Sequence, residues 1–461
     1  MQHEFDYKNS QSRPPLKHRR FKDDHIEDVI VSISDKIHDE TLRRMFMQCM
    51  PNTLDTTVHY YEKNKGEPDT FIATGDIPAM WLRDSVNQIL PYARYINSSE
   101  KIKKLFKGLL SRQTHNINTD PYANAFIDTA LEKPVKNTWW PAGDKWHPHV
   151  WERKYELDSL CSFMQLSVVY FKSTQDISSF NEAWLSAITS ITTIMETEQQ
   201  TMTKENVDVL HHFQAPNGKS YPSLRMRGFG YPGKSCGLIR TLFRPSDDES
   251  VFPYLIPANA MAVVHLRELI TILDLKKQGE LVERIKKIIS NIDKGIQSSG
   301  IVVHPHYGKI FAYEVDGFGS QYLMDDPNIP SLLSLPYIGY CSIDDEIYQN
   351  TRRYILSEAN PFYARGIVLS GLTSPHTGII DHVWPMAVIM QGLTSKDEKE
   401  IIQCLSLLRQ SHANTYFIHE SIHVDDSQKY TRPWFCWANS LFAELILHIS
   451  ETRPHILKQV F

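Results

Sequence analysis

The chain has no CxxC pair: its six cysteines stand singly at 49, 161, 236, 341, 404 and 436. With 461 residues a large core is available, so neither a disulfide framework nor a thiolate cage is needed, and the cysteines are expected to be small buried apolar side chains. A basic surplus is also missing. The formal net charge of -5 offers no field for a phosphate backbone, which excludes nucleic acid as a partner. No uncharged apolar run reaches about 18 residues, so no membrane-spanning helix is expected. The opening MQHEFDYKNSQSRPPLKHRRFKDD has no apolar core of the signal-peptide kind, which points to a cytoplasmic protein. No Ser/Gly linker or composition break divides the remainder of the chain. We therefore expect a flexible basic tail over 1–22, then one domain over 23–461, acting as a monomer.

What is present is aromatic and helical. Nine Trp and 21 Tyr are generous for the length. Trp139, Trp140, Trp146, Trp151, Trp434 and Trp437 fall in polar, non-periodic stretches. Such rings stack on the C–H faces of sugars while neighbouring carboxylates and amides bind hydroxyls; equally, they fill cores. Leu281, Ile285, Ile288, Ile292 and Ile296 advance by helical steps with lysines opposite, the mark of an amphipathic helix. Trp184, Ile188, Ile191 and Met195 form a second stripe, and Met261, Val264, Leu269, Ile272 and Leu273 a third. The stretches 380–392, 398–409 and 433–449 read as further helices. Alternating strand patterns are few, and no strand–helix unit repeats. Between the helices lie long loops at 114–158, 213–258, 301–343 and 359–384, a length that usually carries function. This organisation predicts an all-α fold, an α/α toroid with its site built from loops at one end.

Two short motifs compete for the chemistry. Gly228 to Ser235 matches the GxxxxGK[ST] phosphate loop letter for letter. That loop needs a buried strand before it and a helix beginning at its lysine; here Arg225 and Arg227 precede it and Pro245 soon follows. His419-Glu420-Ser421-Ile422-His423 is a full HExxH, which on a helix grips zinc through histidines one turn apart with the glutamate as base. Glu444 could complete that ligand set. Val424-Asp425-Asp426-Ser427 follows at once and reads as a turn, which weakens the helix.

Polar clusters offer a third reading. TGDIPAMWLRDS at 74–85 gathers Asp76, Trp81, Arg83 and Asp84; Asp247, Asp248 and Glu249 crowd one loop; Asp325-Asp326 is another pair. Acetal hydrolysis needs a protonated carboxyl at the leaving oxygen and an ionised carboxylate elsewhere, and crowding of like charges raises a carboxyl pKa toward the first role. A solvated acidic turn would show the same residues.

Together with KYELDS at 154–159, FRPSDD at 243–248, YLIPANA at 254–260, SPHTG at 374–378 and HESIH…TRPWFCWANSLFAEL at 419–445, the 74–85 block resembles glycoside hydrolase family 125. These are exo-α-1,6-mannosidases on an (α/α)6 barrel, and the matching blocks run in consistent order from about residue 30 to the C-terminus. The resemblance implies an α-mannoside substrate and hydrolysis with inversion, without metal or other cofactor. It maps the general acid onto Asp247, with Asp248 next door, and the general base onto Glu420. The two carboxyls should then stand roughly 6.5–9.5 Å apart to admit a water. His419 and His423 would flank the base. Asp76, Arg83 and Asp84 are expected to hold hydroxyls of the terminal mannose, Trp81 and Trp434 to stack on it, and His376 to bind a hydroxyl; for each, a bracing role is the competing expectation. A zinc peptidase, a carbohydrate-binding protein without catalysis and an inverting glucoamylase-type enzyme are the alternatives.

Overall fold

The computed structural model describes residues 6–7, 12–63, 66–128, 147–203, 206, 209–213, 224–378 and 380–461. Among them are twelve α-helices of eight or more residues. In chain order α1 is Asp24–Ser34, α2 Glu40–Cys49, α3 Leu82–Ile89 and α4 Glu100–Thr119. Next come α5 Leu157–Thr174, α6 Glu182–Glu198, α7 Ile256–Leu275 and α8 Gly279–Gly295. The last four are α9 Glu346–Ile355, α10 Pro385–Leu393, α11 Glu398–Gln410 and α12 Cys436–Thr452. Short polar side chains start several of them by accepting an otherwise unpaired amide N–H: Asp23 from Ile26, Asp39 from Leu42, Asn181 from Trp184 and Asp345 from Tyr348.

The apolar stripes land as their spacing requires. Leu281, Ile285, Ile288 and Ile292 are the buried face of α8, and a single π-turn over Ile296–Gly300 carries Ile296 into the core. Trp184, Ile188, Ile191 and Met195 are fully buried along α6. In α7 the expected stripe widens: it packs on both α5 and α8, so Ala258, Ala260, Ala262, Val263 and Leu266 are buried as well, while Val264 is only half-buried. This helix is long and apolar enough to cross a membrane by length and composition, but 72% of its most apolar window is buried inside the protein. It is a core helix.

The structure corrects the sequence reading in three places. The 380–392 stretch is not one helix: His382–Val383 is a strand paired with Ile422–His423, and α10 starts only at Pro385. Proline at the first helical position fixes its own φ and forces the preceding Trp384 into extended backbone. Second, the chain is mostly helical rather than all-α, because its long loops carry hairpins. Ile301–His304 pairs with Gly308–Phe311, Tyr363–Arg365 with Ser370–Leu372, and Val58–Glu62 with Pro68–Ile72. Strands of two to five residues are too short for alternation to stand out from noise. Third, residues 12–22, expected within a flexible tail, are tied down. Arg13 grips Glu27 through two bonds of 2.7 and 2.9 Å and Asp55 at 2.7 Å. The amides of Arg20 and Phe21 bond the carbonyls of Asp55 and Leu54.

The described chain gathers into two compact units, Met1–Met80 with Asp84–Leu109 and Pro361–Phe461 in one, Trp81–Arg83 with Leu110–Asn360 in the other. In the first, α12 packs on α2 and α10, and α10 on α11; in the second, α7 is the central helix. All six cysteines are free, and Cys49, Cys161, Cys404 and Cys436 are buried.

Candidate active site

In the second unit the FRPSDD segment closes a tight turn. The Arg244 amide donates to the Asp248 carbonyl at 2.8 Å and the Asp247 amide to the Arg244 carbonyl at 3.0 Å. The turn is anchored by Arg244, whose Nε donates to Glu314 at 2.6 Å, while the other Glu314 oxygen accepts the Val251 and Phe252 amides. Asp247 sits at φ 66°, a left-handed conformation that costs a non-glycine residue on the order of 1–2 kcal/mol. The turn keeps that strain because it aims the carboxylate. Its Oδ1 accepts from Trp81 Nε1 and from Asn124 Nδ2, both at 3.2 Å, and lies 3.8 Å from Arg83 Nη2. The side chain remains 20% exposed. Asp248, one residue on, faces elsewhere: it accepts from Ser246 Oγ at 3.2 Å, and its charge acts on Asp326.

Beneath Asp247 lies a buried charge cluster that no short motif announces. Arg83 Nη1 bonds Glu156 at 2.6 Å and Asp158 at 3.0 Å, and Lys154 Nζ bonds Glu152 at 2.7 Å. Asn124 Nδ2 lies 3.0 Å from Glu156, 3.4 Å from Glu152 and 3.2 Å from Asp247. Glu156 occupies the N-cap of α5 without capping it, because its carboxyl is turned to Arg83 and Asn124. Burial raises the pKa of Glu152, Glu156 and Asp158, and the charge of Asp247 adds to the rise in each; Arg83 opposes it at Glu156 and Asp158, Lys154 at Glu152. The sequence carried one signal for this cluster, four ionisable residues at 152, 154, 156 and 158 in a segment that leads into an apolar helix.

The HESIH segment belongs to the first unit, and it is not helical. His419 and Glu420 lie outside any helix, and Ile422–His423 forms a strand between His382–Val383 and Asp426–Tyr430. The helical spacing a zinc grip requires is therefore absent. The histidines have other work: His419 Nε2 meets Thr415 Oγ1 at 3.0 Å, its Nδ1 meets the Arg432 carbonyl at 3.2 Å, and its ring stacks on Tyr430 at 3.8 Å. The carbonyl requires a proton on Nδ1, while the Thr415 hydroxyl can meet Nε2 as donor or acceptor. Burial favours the neutral ring, pushing the His419 pKa down to about 4. His423 Nε2 lies 3.3 Å from Asp381, which also bonds His382. Glu444 is paired with Arg94 at 2.7 Å. Among the described residues no three His, Cys, Asp or Glu side chains are grouped to hold a metal ion.

Glu420 is 6% exposed, with Arg432 Nη1 at 3.6 Å. Arg432, itself left-handed at φ 45°, spans Glu420 and Asp76, bonding Asp76 through Nε at 2.9 Å and Nη2 at 2.5 Å. Burial opposes its charge, but Glu420 and Asp76 outweigh burial and raise its pKa. Asp84 is buried and its charge acts on Arg432 as well. The Asp76 amide donates to the Trp434 carbonyl at 3.1 Å. That close approach requires Gly75, at φ 143°, where a Cβ would stand 2.2 Å from the Trp434 oxygen.

The remaining expected ligands are placed less suggestively. Trp434 gives its indole N–H to Thr56 at 3.0 Å and has Tyr7 stacked on it at 5.6 Å. His376 is exposed, edge-on to Trp384 at 6.1 Å. Arg83 is committed to the buried carboxylates. Trp437 is buried, whereas Trp139, Trp140 and Trp146 lie outside the described residues. The phosphate-loop match has no nucleotide architecture: no helix follows Ser235, the Lys234 amide donates to the Asp316 carbonyl at 2.9 Å, and a Cβ on Gly233 would meet Pro253 at 2.7 Å.

A mostly helical chain carrying a partly exposed aspartate over a buried acid cluster and, in its other unit, a guanidinium-braced glutamate has the residue types that glycoside hydrolysis uses. Comparison with known proteins specifies which kind. Residues 39–447 match the family model described as metal-independent alpha-mannosidase, GH125. The chain is 42% identical over 463 residues to the meiotically up-regulated gene 157 protein of Schizosaccharomyces pombe, covering 97% of this chain and 90% of that one. It is 36% identical to a Streptococcus pneumoniae metal-independent α-mannosidase, solved as a non-productive substrate complex with α-1,6-mannobiose. There the TM-score is 0.87, with 94% of this chain and 100% of that chain covered. This chain belongs to the GH125 family of metal-independent α-mannosidases.

Proposed function

We propose that the enzyme removes single α-1,6-linked mannose residues from the non-reducing end of a glycan, with inversion of configuration, using Asp247 as general acid and Glu420 as general base. In this reading the twelve helices of eight or more residues are the six pairs of an (α/α)6 barrel. The observation that carries the acid assignment is the contrast between neighbours. Asp247 is held by Trp81, Asn124 and Arg83 over a cluster that favours protonated carboxyl groups, with one edge exposed; Asp248 is 6% exposed and turned to Ser246. The linkage rests on the mannobiose held by the pneumococcal relative.

Asp247 delivers its proton to the glycosidic oxygen as the bond from that oxygen to C1 breaks. Glu420 takes a proton from a water whose oxygen attacks C1 from the opposite face, giving β-mannose and the shortened glycan. Arg432 holds Glu420 in place, and His419, neutral above about pH 4, shapes the base loop without competing for the proton. Asp76, Asp84, Trp81, Trp434 and His376 are the groups proposed to meet the terminal sugar. Arg83 serves by holding the acid cluster together.

Proton NMR of early hydrolysis of α-1,6-mannobiose tests the mechanism: β-mannose must appear first, and α-mannose as first product would overturn it. Asp247→Asn and Glu420→Gln should each cost roughly 10²–10⁴-fold in kcat. A panel of linkage-defined mannobioses tests the linkage, which fails if the α-1,6 isomer is not preferred.

A further inference from the structure

Glu156 lies nearly fully buried under the proposed acid, and neither proton transfer of the hydrolysis involves it directly. Among the described residues, its surroundings contain more negative than positive charge. The carboxyls of Glu152, Glu156, Asp158 and Asp247 are met by two cations, Arg83 and Lys154. One amide nitrogen, Asn124 Nδ2, has three carboxyl oxygens within 3.4 Å but only two hydrogens to give. Crowded, desolvated carboxylates in such numbers do not all ionise; they hold protons between them. The two Glu156 oxygens are used differently. Oε2 accepts from Arg83 and from Ser159 Oγ, whereas Oε1 accepts from Asn124 Nδ2, and both Asn124 and Arg83 reach the Asp247 carboxyl as well, at 3.2 and 3.8 Å.

We propose that Glu156 is a positioning residue for the acid: its carboxyl and that of Asp247 share one proton, and this pairing keeps Asp247 able to deliver a proton through neutral pH. The inference rests on the reading of Asp247 as the general acid. In each cycle the shared proton passes from Asp247 to the leaving oxygen, both carboxylates are left ionised, and their repulsion draws one proton back from water through the exposed edge of Asp247. Arg83 and Lys154 limit the pair to one proton by stabilising its remaining charge. The arrangement explains why the carboxylate at the head of α5 accepts no backbone amide of the first turn, as an ordinary N-cap would, and meets Arg83, Asn124 and the Ser159 hydroxyl instead.

The test is the pH dependence of kcat/KM for two substrates, α-1,6-mannobiose and 2,4-dinitrophenyl α-mannoside, whose leaving group needs no proton. Glu156→Gln keeps the shape and an oxygen for Arg83 but replaces the like charge by an N–H donor to Asp247. The basic limb for mannobiose should move down by about one pH unit or more, with the rate recovering at acid pH and the aryl mannoside unaffected. Asn124→Ala removes the amide that stabilises the ionised pair, so its basic limb should move the opposite way. Opposite shifts support the pairing, and if one variant does not fold the direction in the other decides. A uniform loss at every pH and for both substrates would overturn it and leave Glu156 a structural brace. Asp247→Asn separates the two claims: normal mannobiose turnover in that variant removes Asp247 as the acid, whereas a dead Asp247→Asn beside an unshifted Glu156→Gln removes only the pairing.

Discussion

Replacing Arg83 by Met should destabilise the protein severely and in a pH-dependent way. Arg83 is 2% exposed and its Nη1 is the shared partner of Glu156 at 2.6 Å and Asp158 at 3.0 Å, both buried. Methionine restores most of the apolar volume, so cavity formation is a minor part of the cost. The major part is two carboxylates stripped of their counter-ion, with Lys154 already bonded to Glu152 at 2.7 Å. Removing one partner of a buried ion pair costs about 3–5 kcal/mol. For a cooperative body the size of the second unit, about 2 °C is lost per kcal/mol, so a melting-point drop of about 6–10 °C is expected near pH 8. The sign with pH comes from proton counting. Burial already raises Glu156 and Asp158 above their ordinary range, and losing Arg83, which lowers both, raises them further. The folded variant then binds protons that the unfolded chain has released, so its stability falls as pH rises above about 4.3. The penalty relative to wild type should therefore be small near pH 5 and full near pH 8. Calorimetry and urea unfolding at both values measure it. A loss below about 1 kcal/mol at pH 8, or one that does not change with pH, would refute the account of the cluster.

His419 should show no imidazole titration by NMR between pH 5 and 8, since burial lowers its pKa to about 4. Because the folded pKa is depressed, its contribution to stability is present above about pH 6.5 and is lost as pH falls toward 4; a midpoint near 6.5 would place the ring in solvent. Arg13→Ala should cost about 1–3 kcal/mol, as loss of charge-assisted bonds to the buried Asp55 and the half-exposed Glu27, read as a lower urea midpoint. An unchanged midpoint would return residues 12–22 to the status of a tail. Prolonged dialysis against EDTA should leave mannobiose turnover unchanged, because the histidines of HESIH bond Thr415, the Arg432 carbonyl and Asp381; loss restored by zinc would revive the metal reading.

Much of the helical frame was legible because helix periodicity is a local property. The stripes through Ile285, Ile288 and Ile292, and through Trp184, Ile188 and Ile191, required only that residues on one face be apolar, and those faces are buried. Where neighbours decide, local reading failed. Trp384 and Pro385 split an apolar run into strand and helix, and the 301–343 loop folded into hairpins whose short strands take their stability from what they pair with. Arg13 was indistinguishable from the surrounding basic residues until Asp55 and Glu27, far along the chain, came to meet it.

The site divides in the same way. The sequence alone determined the family, through long blocks in consistent order. It left open which of two adjacent aspartates stands over the acid cluster and whether HESIH is helical, because both depend on backbone path rather than residue type. Tertiary structure decided them: a left-handed turn aims Asp247 at Trp81 and Asn124 while Asp248 turns to Ser246, and strand pairing at Ile422–His423 breaks the helical spacing of the two histidines. It alone also revealed the cluster of Glu152, Glu156 and Asp158 with Arg83 and Lys154. A carboxylate's chemistry is set by the solvent it loses and the charges it gains, and both come from residues distant in the chain.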